Sequence, residues 1–251
     1  HVNQTIQQQA STNFFKLLDQ HTQALLQLSP TLATSLGVSE AYVGIKFNDK
    51  LGDFSVNRIS KTKALRATMA ADLANIDRTQ LSGTAATTYD LLTSSLAMTA
   101  QFESFVYGAF DPLVIFSPYS ITQLSGLHID LPRALQTEHP LTNKAEVEDY
   151  LTRLTLLGSV LSDYAELIKF DASKGVTPPK FALQGALNVI ESMTKPLPID
   201  HPLAVVLDKR LTSVANIEAK ERIHYVERAA AIILEEVYPG YASVAKTLKA
   251  L

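Results

Sequence analysis

Apolar residues recur every three or four positions along most of the chain, which is the spacing of one face of an α-helix. N-cap residues, first-turn prolines and terminal glycines mark where these apolar stripes begin and end. The stripes predict eight helices, at about residues 4–28, 31–36, 55–76, 84–107, 142–175, 177–195, 203–214 and 217–251. We therefore predict an all-α fold in which about eight helices form a bundle-like array.

Two stretches depart from the helical spacing. Residues 38–54 read as a loop, although residues 42–47 alternate between apolar and polar side chains enough to permit a short strand. Residues 108–140 contain four prolines, and we expect one long irregular loop there. Long loops in compact domains are usually functional or packed down by their own side chains. In the last helix, we expect Pro239 to introduce a kink.

Composition and charge exclude several classes of protein. The 251-residue chain is 46% hydrophobic and 19% charged, which excludes a disordered chain. A formal net charge of −3 argues against nucleic acid as a partner. The absence of cysteine excludes disulfides, thiol nucleophiles and Cys-based zinc sites. The longest apolar run is residues 229–234, far short of the roughly 20 residues that span a bilayer, so we predict no membrane-spanning segment.

The N-terminus differs in composition from the rest of the chain. Residues 1–12 are polar and rich in glutamine, begin with His1 rather than Met, and lack both the basic and the apolar region of a signal peptide. We interpret them as a leader that follows a removed signal. The remaining residues, 13–251, are predicted to form a single helical domain.

No short motif identifies a reaction. Glycine-rich phosphate loops, the G-x-S-x-G nucleophile elbow and the paired histidines of a zincin helix are all absent. One Glu-x-x-His unit, Glu221 to His224 with Glu227 a turn further on, matches half of a di-iron site, but the chain has no second unit. We expect these three residues to lie on a solvated charged face. No catalytic residue and no metal ligand is therefore assigned.

Two further histidines are candidates for acid–base chemistry. His21 lies in the middle of the first apolar stripe, where it is either a buried base or, more commonly, a core histidine with its polar atoms satisfied. His128 precedes Asp130 by two residues in the expected long loop. Such a pair can transfer protons or can anchor the loop by hydrogen bonds.

Several short segments resemble, in order, those of a large bacterial family known as domain of unknown function 885. The segments are LSPTLATSLG at 28–37, YDLL at 89–92, QLSGLHIDLP at 123–132, EVEDYLTRL at 146–154, GVTPPKF at 175–181 and YPGY at 238–241. Members of that family are mostly helical, exported or lipid-anchored, and similar to zinc metallopeptidases of the zincin type. The resemblance therefore implies a bacterial cell-envelope protein, periplasmic or held by a lipid anchor upstream of residue 1.

The resemblance also implies that the chemistry lies outside this chain. The zinc-binding His-Glu motif of the family lies well downstream of the segments matched here, so the 251 residues resemble its N-terminal helical half. We expect no cofactor within this chain, and we expect zinc and a peptide substrate only together with the C-terminal half. His128, Asp130 and Arg133 are then candidates for facing the substrate cleft.

A second hypothesis involves no chemistry at all. In it, the chain is a self-sufficient helical module of the cell envelope that binds a peptide or a partner protein. The reading frame beyond Leu251 discriminates between the two, because a His-Glu zinc motif there supports the first hypothesis and a stop codon supports the second. A metal-storage bundle, the third hypothesis, lacks its second Glu-x-x-His unit.

Overall fold

The computed structural model describes residues 2–102, 104–105, 107–110 and 116–251. The predicted all-α fold is confirmed, and strand structure in these ranges amounts to a two-residue antiparallel pair, β1 (Ala109–Phe110) with β2 (Phe116–Ser117). The α-helices of the described chain are α1 (Val2–Leu28), α2 (Pro30–Ser35), α3 (Glu40–Val43), α4 (Asn57–Ala74), α5 (Gly83–Ala100), α6 (Leu127–Thr137), α7 (Lys144–Ser173), α8 (Lys180–Thr194), α9 (Pro202–Leu211), α10 (Ala219–Ile232) and α11 (Tyr238–Lys249). Short 3-10 turns occupy Arg78–Gln80 and Pro198–Asp200.

The largest core is built around α7. Its apolar residues are buried on successive turns, and α6, α10 and α11 pack against it. Small residues let α7 and the C-terminal helix come into backbone contact. A Cβ atom on Gly158 would lie 2.4 Å from the carbonyl oxygen of Glu236, and one on Gly240 would lie 2.7 Å from the carbonyl oxygen of Gly158. Glycine is therefore required at this crossing for steric reasons.

Two smaller cores lie in the N-terminal part of the chain. One joins α1, α4 and α5 through Phe14, Met69, Leu73 and Leu96. The other consists of Leu26, Ala33, Val43 and Phe47, contributed by α1, α2, α3 and the segment after α3. Apolar residues of α1 take part in both clusters. This packing stabilises α1 as a regular helix, although the helix begins with a polar, glutamine-rich segment. Residues 2–12, interpreted above as a leader, are part of α1.

The last two helices, α10 and α11, are joined directly by a π-helical turn at Ile233–Val237. Pro239 follows directly, in the first turn of α11. A proline lacks the N–H that would continue the helical hydrogen-bond ladder, and π turns are a common way to accommodate such a break. The irregularity expected at Pro239 thus takes the form of a π turn just before it.

The prediction of one irregular loop over residues 108–140 is wrong at residues 127–137, which form α6. Pro132 lies inside this helix, where its missing N–H leaves the carbonyl of His128 without its intrahelical donor. The hydroxyl of Tyr241 replaces that donor, at 2.9 Å from the carbonyl oxygen. A tertiary contact, which local sequence cannot show, therefore allows the helix to form.

Two other local predictions also differ from the structure. Residues 38–54, predicted as a loop that permits a short strand at 42–47, contain the short helix α3, which begins where the Ser39 side chain accepts a hydrogen bond from the Tyr42 N–H. It ends at Gly44, whose φ of 82° suits a glycine C-cap. Further on, α5 ends at Ala100 rather than near residue 107.

Candidate functional site

His128 lies in the first turn of α6 and is completely buried. Its ring stacks on that of Tyr164 from α7, with 6.4 Å between the ring centroids and 20° between the planes. Neither ring nitrogen has a hydrogen-bond partner among the described residues. Burial lowers the pKa of His128 to about 4, which keeps the imidazole neutral at neutral pH. The His128 ring is therefore closed off from solvent.

Asp130 and Arg133 lie on the same helix but remain at the surface. Their side chains form an ion pair with a 3.0 Å separation, and the exposed fractions are 43% for Asp130 and 65% for Arg133. Asp130 also accepts a hydrogen bond from the Gly126 N–H at 3.2 Å, which anchors the start of α6. No hydrogen bond joins His128 to Asp130. The structure therefore separates the three sequence-predicted residues into one buried ring and one exposed ion pair.

The Glu-x-x-His unit lies on the outer side of α10. Glu221 forms an ion pair of 2.7 Å with Lys144 at the start of α7, and both His224 and Glu227 are exposed. Across the described ranges, no group of three or more His, Asp or Glu side chains is arranged to hold a metal ion. The ion pair links α10 to α7.

His21 connects two helices of the N-terminal part. His21 is buried, with 6% of the residue exposed, and its Nε2 atom lies 2.8 Å from an Asp72 carboxylate oxygen. Because His21 belongs to α1 and Asp72 to α4, this contact joins the two helices across the α1–α4–α5 core. The arrangement corresponds to a core histidine with one polar atom satisfied.

Arg153 is a buried cation that anchors the backbone. Only 2% of the residue is exposed, and its guanidinium donates hydrogen bonds to the carbonyls of Lys50 and Phe47 and to the hydroxyl of Thr34, at 2.7 to 3.0 Å. Burial lowers the pKa of Arg153 to about 10, so that the side chain stays charged at neutral pH. These contacts tie the segment after α3 to α7.

Asp171, near the end of α7, is a buried carboxylate that contacts residues of the irregular segment. It accepts hydrogen bonds from the Gly108 N–H at 3.2 Å and from the Ser120 hydroxyl at 2.5 Å. Tyr164 donates to the Ser120 carbonyl at 2.6 Å. Burial raises the pKa of Asp171 above its ordinary value, against the opposing effect of these hydrogen bonds. The cluster holds Gly108 and Ser120 against α7.

A narrow cleft opens beside Gly108, on the side of α4. Its cavity volume is about 20 Å³, room for about one water molecule. The described residues that line it include three cations and three aromatic rings, and the full set is Arg58, Ile59, Thr62, Lys63, Arg66, Phe102, Phe105, Tyr107 and Gly108. We call this the cation–aromatic cleft. Sequence analysis missed it, although two signals were present: the cations share one face of a predicted helix, and three aromatic residues follow α5 at close spacing.

The fold defines the chain as an all-α protein organised around one long helix, α7. It belongs to the family described as bacterial protein of unknown function (DUF885), whose model matches residues 30–251. No curated protein matches the chain. None of the helices in the described part of the chain is long and apolar enough to cross a bilayer.

A similar solved structure is described as "the putative lipoprotein from Colwellia psychrerythraea". The two chains are 25% identical, and they superpose with a TM-score of 0.84. The match covers 98% of this chain and 41% of the other, so this chain spans less than half the length of that structure.

Proposed function

We propose that this chain forms the N-terminal helical part of an exported bacterial protein that resembles zinc metallopeptidases. The observation that carries the proposal is the difference in length, because nearly all of this chain matches only 41% of a similar solved structure. In such a protein, the zinc ligands and the catalytic glutamate would belong to sequence beyond Leu251. The description of the similar structure as a lipoprotein supports a cell-envelope location, periplasmic or lipid-anchored.

In this proposal, the helical part forms one wall of a substrate cleft. The exposed Asp130–Arg133 ion pair on α6 remains a candidate for that wall, because both side chains are open to solvent. His128 is in the same first turn of α6 as Asp130, but its buried ring packs on Tyr164 and would not contact the substrate. Its role would be to position the first turn of α6.

The test is peptide hydrolysis by two proteins, the product of the uninterrupted reading frame and the 251-residue chain. We expect the longer protein to hydrolyse a mixture of unstructured peptides, to lose that activity when a zinc chelator is added, and to regain it with zinc. The 251-residue chain should be inactive. A longer protein that is zinc-loaded, folded and inactive on every peptide would contradict the peptidase proposal.

A second candidate is a non-catalytic helical binding module of the cell envelope. A stop codon directly after Leu251, together with ligand binding by the 251-residue chain, would support this candidate over the first.

A further inference from the structure

Both α10 and α11 run alongside α7 in the same direction as that helix. Near the start of α10, Glu221 forms its ion pair with Lys144, the first residue of α7. Further along, Gly240 of α11 lies against the backbone of Gly158, in the middle of α7. The end of α11 therefore lies near the end of α7, and α8 begins at the same place because only a short turn joins it to α7.

Four exposed lysines lie at this end of the helical bundle. They are Lys174, which follows α7, Lys180, the first residue of α8, and Lys246 and Lys249 in the last turn of α11. Among the described residues, no carboxylate forms an ion pair with any of the four. The Nζ atom of Lys174 lies instead over the ring of Phe170, 5.2 Å from the ring centroid. All four ammonium groups are therefore open to an external anion.

The acidic residues near these lysines are already paired or buried. Asp171 is buried and accepts two hydrogen bonds, Glu166 pairs with Lys169 at 2.6 Å, and Asp130 pairs with Arg133. The loop between β2 and α6 and the whole of α11 contain no Asp or Glu. Because the chain as a whole has a formal net charge of −3, this end has the opposite sign to the molecule.

Two large apolar side chains protrude at the same end. Leu124 is 81% exposed and Phe181 is 71% exposed, the two highest values among the large apolar residues of the described chain. The residue before Leu124 packs directly on α8, since a Cβ atom on Gly185 would lie 2.4 Å from the Cβ atom of Gln123. Phe181 lies one turn before Gly185 on the same face of α8. We call the four lysines together with Leu124 and Phe181 the basic end.

We propose that the basic end docks on the surface of a bilayer that contains anionic phospholipid. Each lysine near an anionic leaflet is attracted to it, and its flexible stem lets the ammonium group reach a phosphate. The side chains of Leu124 and Phe181 enter the boundary between headgroups and acyl chains, as the apolar residues of peripheral membrane proteins do.

The chemistry of the basic end favours a bilayer over an acidic protein. Lysine is depleted in protein–protein interfaces, where arginine and well-packed aromatic residues predominate. The lysines of the basic end come from three separate helix ends, and its two apolar side chains protrude into solvent. A soft, anionic surface accommodates such an arrangement without a matching shape.

This inference goes beyond the proposed function and requires neither zinc nor a peptide substrate. Binding to vesicles and hydrolysis of peptides are measured separately, so either proposal can fail while the other stands.

The test is co-sedimentation of the 251-residue chain with lipid vesicles. One set of vesicles consists of phosphatidylcholine alone, and the other contains one third phosphatidylglycerol. We expect the chain to bind the anionic vesicles about tenfold or more tightly than the neutral ones, and to bind them less tightly as salt is added, because salt screens the attraction.

Two variants and one matched control locate the docking surface. Lys180→Gln and Lys249→Gln should each weaken binding to the anionic vesicles by about fivefold, because each removes one charge that faces the lipid. Lys220→Gln removes the same charge from an exposed lysine at the start of α10, at the opposite end of α7, and should leave the affinity unchanged. Circular dichroism shows whether each variant is folded.

A tryptophan reports which face enters the lipid, because the chain contains none of its own. In Phe181→Trp, the fluorescence emission should shift to shorter wavelength when anionic vesicles are added. Ile223→Trp is the control, since Ile223 is 54% exposed on α10 and lies away from the basic end. Its emission should stay unchanged.

Four results would overturn the proposal. They are equal binding to the two kinds of vesicle, equal effects of Lys180→Gln and Lys220→Gln on folded protein, an unshifted emission of Phe181→Trp on vesicles that have bound the protein, and binding of soluble polyglutamate as tightly as anionic vesicles. The last result would indicate an acidic protein as the partner instead.

Discussion

The hydroxyl of Tyr241 in α11 donates a 2.9 Å hydrogen bond to the backbone carbonyl of His128 in α6. Pro132, four residues after His128, has no N–H to donate to that carbonyl. The bond is fully buried, so that its loss would leave a polar atom away from water. One side chain of the last helix therefore completes the hydrogen bonding of a helix that lies more than a hundred residues earlier.

Tyr241→Phe should lower the free energy of unfolding by about 1–3 kcal/mol, because it leaves the His128 carbonyl buried without a donor. Chemical denaturation measures this loss. Tyr225→Phe is the matched control, since Tyr225 is also buried but no hydrogen bond of its hydroxyl is found among the described residues.

The same contact predicts a rescue. In the Tyr241→Phe background, Pro132→Ala should recover part of the lost stability, because alanine restores an N–H that can reach the His128 carbonyl within α6. A double-mutant cycle that shows independent, additive effects of the two changes would contradict this account of α6.

The buried histidines predict loss of stability in acid. Burial lowers the pKa of His128, His139 and His201 to about 4, whereas a histidine in the unfolded chain titrates near 6.5. Below pH 6.5 the unfolded chain binds protons that the folded chain does not, so stability falls as the pH drops from 6.5 towards 4. For one histidine this amounts to at most about 3 kcal/mol.

His128→Phe should make the dependence of unfolding free energy on pH less steep between pH 6.5 and 4, whatever it does to the stability at pH 7. His224→Gln is the control, because His224 is exposed. An unchanged slope in His128→Phe would mean that His128 is protonated as readily in the folded chain as in the unfolded one.

Arg153→Lys should destabilise the protein by about 3 kcal/mol, although the charge is retained. A lysine cannot reach the carbonyls of Lys50 and Phe47 and the hydroxyl of Thr34 together, which leaves buried acceptors unpaired. Thermal unfolding provides the measurement. Arg133→Lys, at an exposed ion pair, should change the stability by less than about 0.5 kcal/mol.

Gly158→Ala should destabilise the protein by about 1–3 kcal/mol, since the new methyl group would overlap the backbone of Glu236. At an ordinary helix position the same change would stabilise the helix by about 0.5–1 kcal/mol. Chemical denaturation measures the change. A gain of stability in Gly158→Ala would contradict the backbone contact between α7 and the C-terminal helix.

The sequence predicted those parts of the fold that depend on local periodicity. α7 was found from its apolar stripe because it buries residues on successive turns against several neighbours. α6 was missed, because Pro132 is unfavourable inside a helix unless a distant residue such as Tyr241 supplies the missing donor. Local periodicity was therefore sufficient to predict α7, whereas α6 depends on a tertiary contact that local periodicity does not reveal.

The candidate site was predicted less well than the fold. His128 and Asp130 are two residues apart in sequence, but the His128 ring is buried and the Asp130 side chain is exposed. The cation–aromatic cleft joins α4 to Phe102, Phe105, Tyr107 and Gly108, and its existence depends on how those residues pack against the helix. No spacing rule within either segment reveals that contact.

The most direct measurement for the proposed function is the zinc content of purified protein, with intact mass determined on the same samples. The product of the uninterrupted reading frame and the 251-residue chain are compared after identical dialysis. The account predicts that the product of the uninterrupted reading frame is heavier than the 251-residue chain and holds one or more tightly bound zinc ions per molecule. The 251-residue chain should hold none. Equal masses and no zinc in either sample would contradict the metallopeptidase proposal and leave the helical binding module.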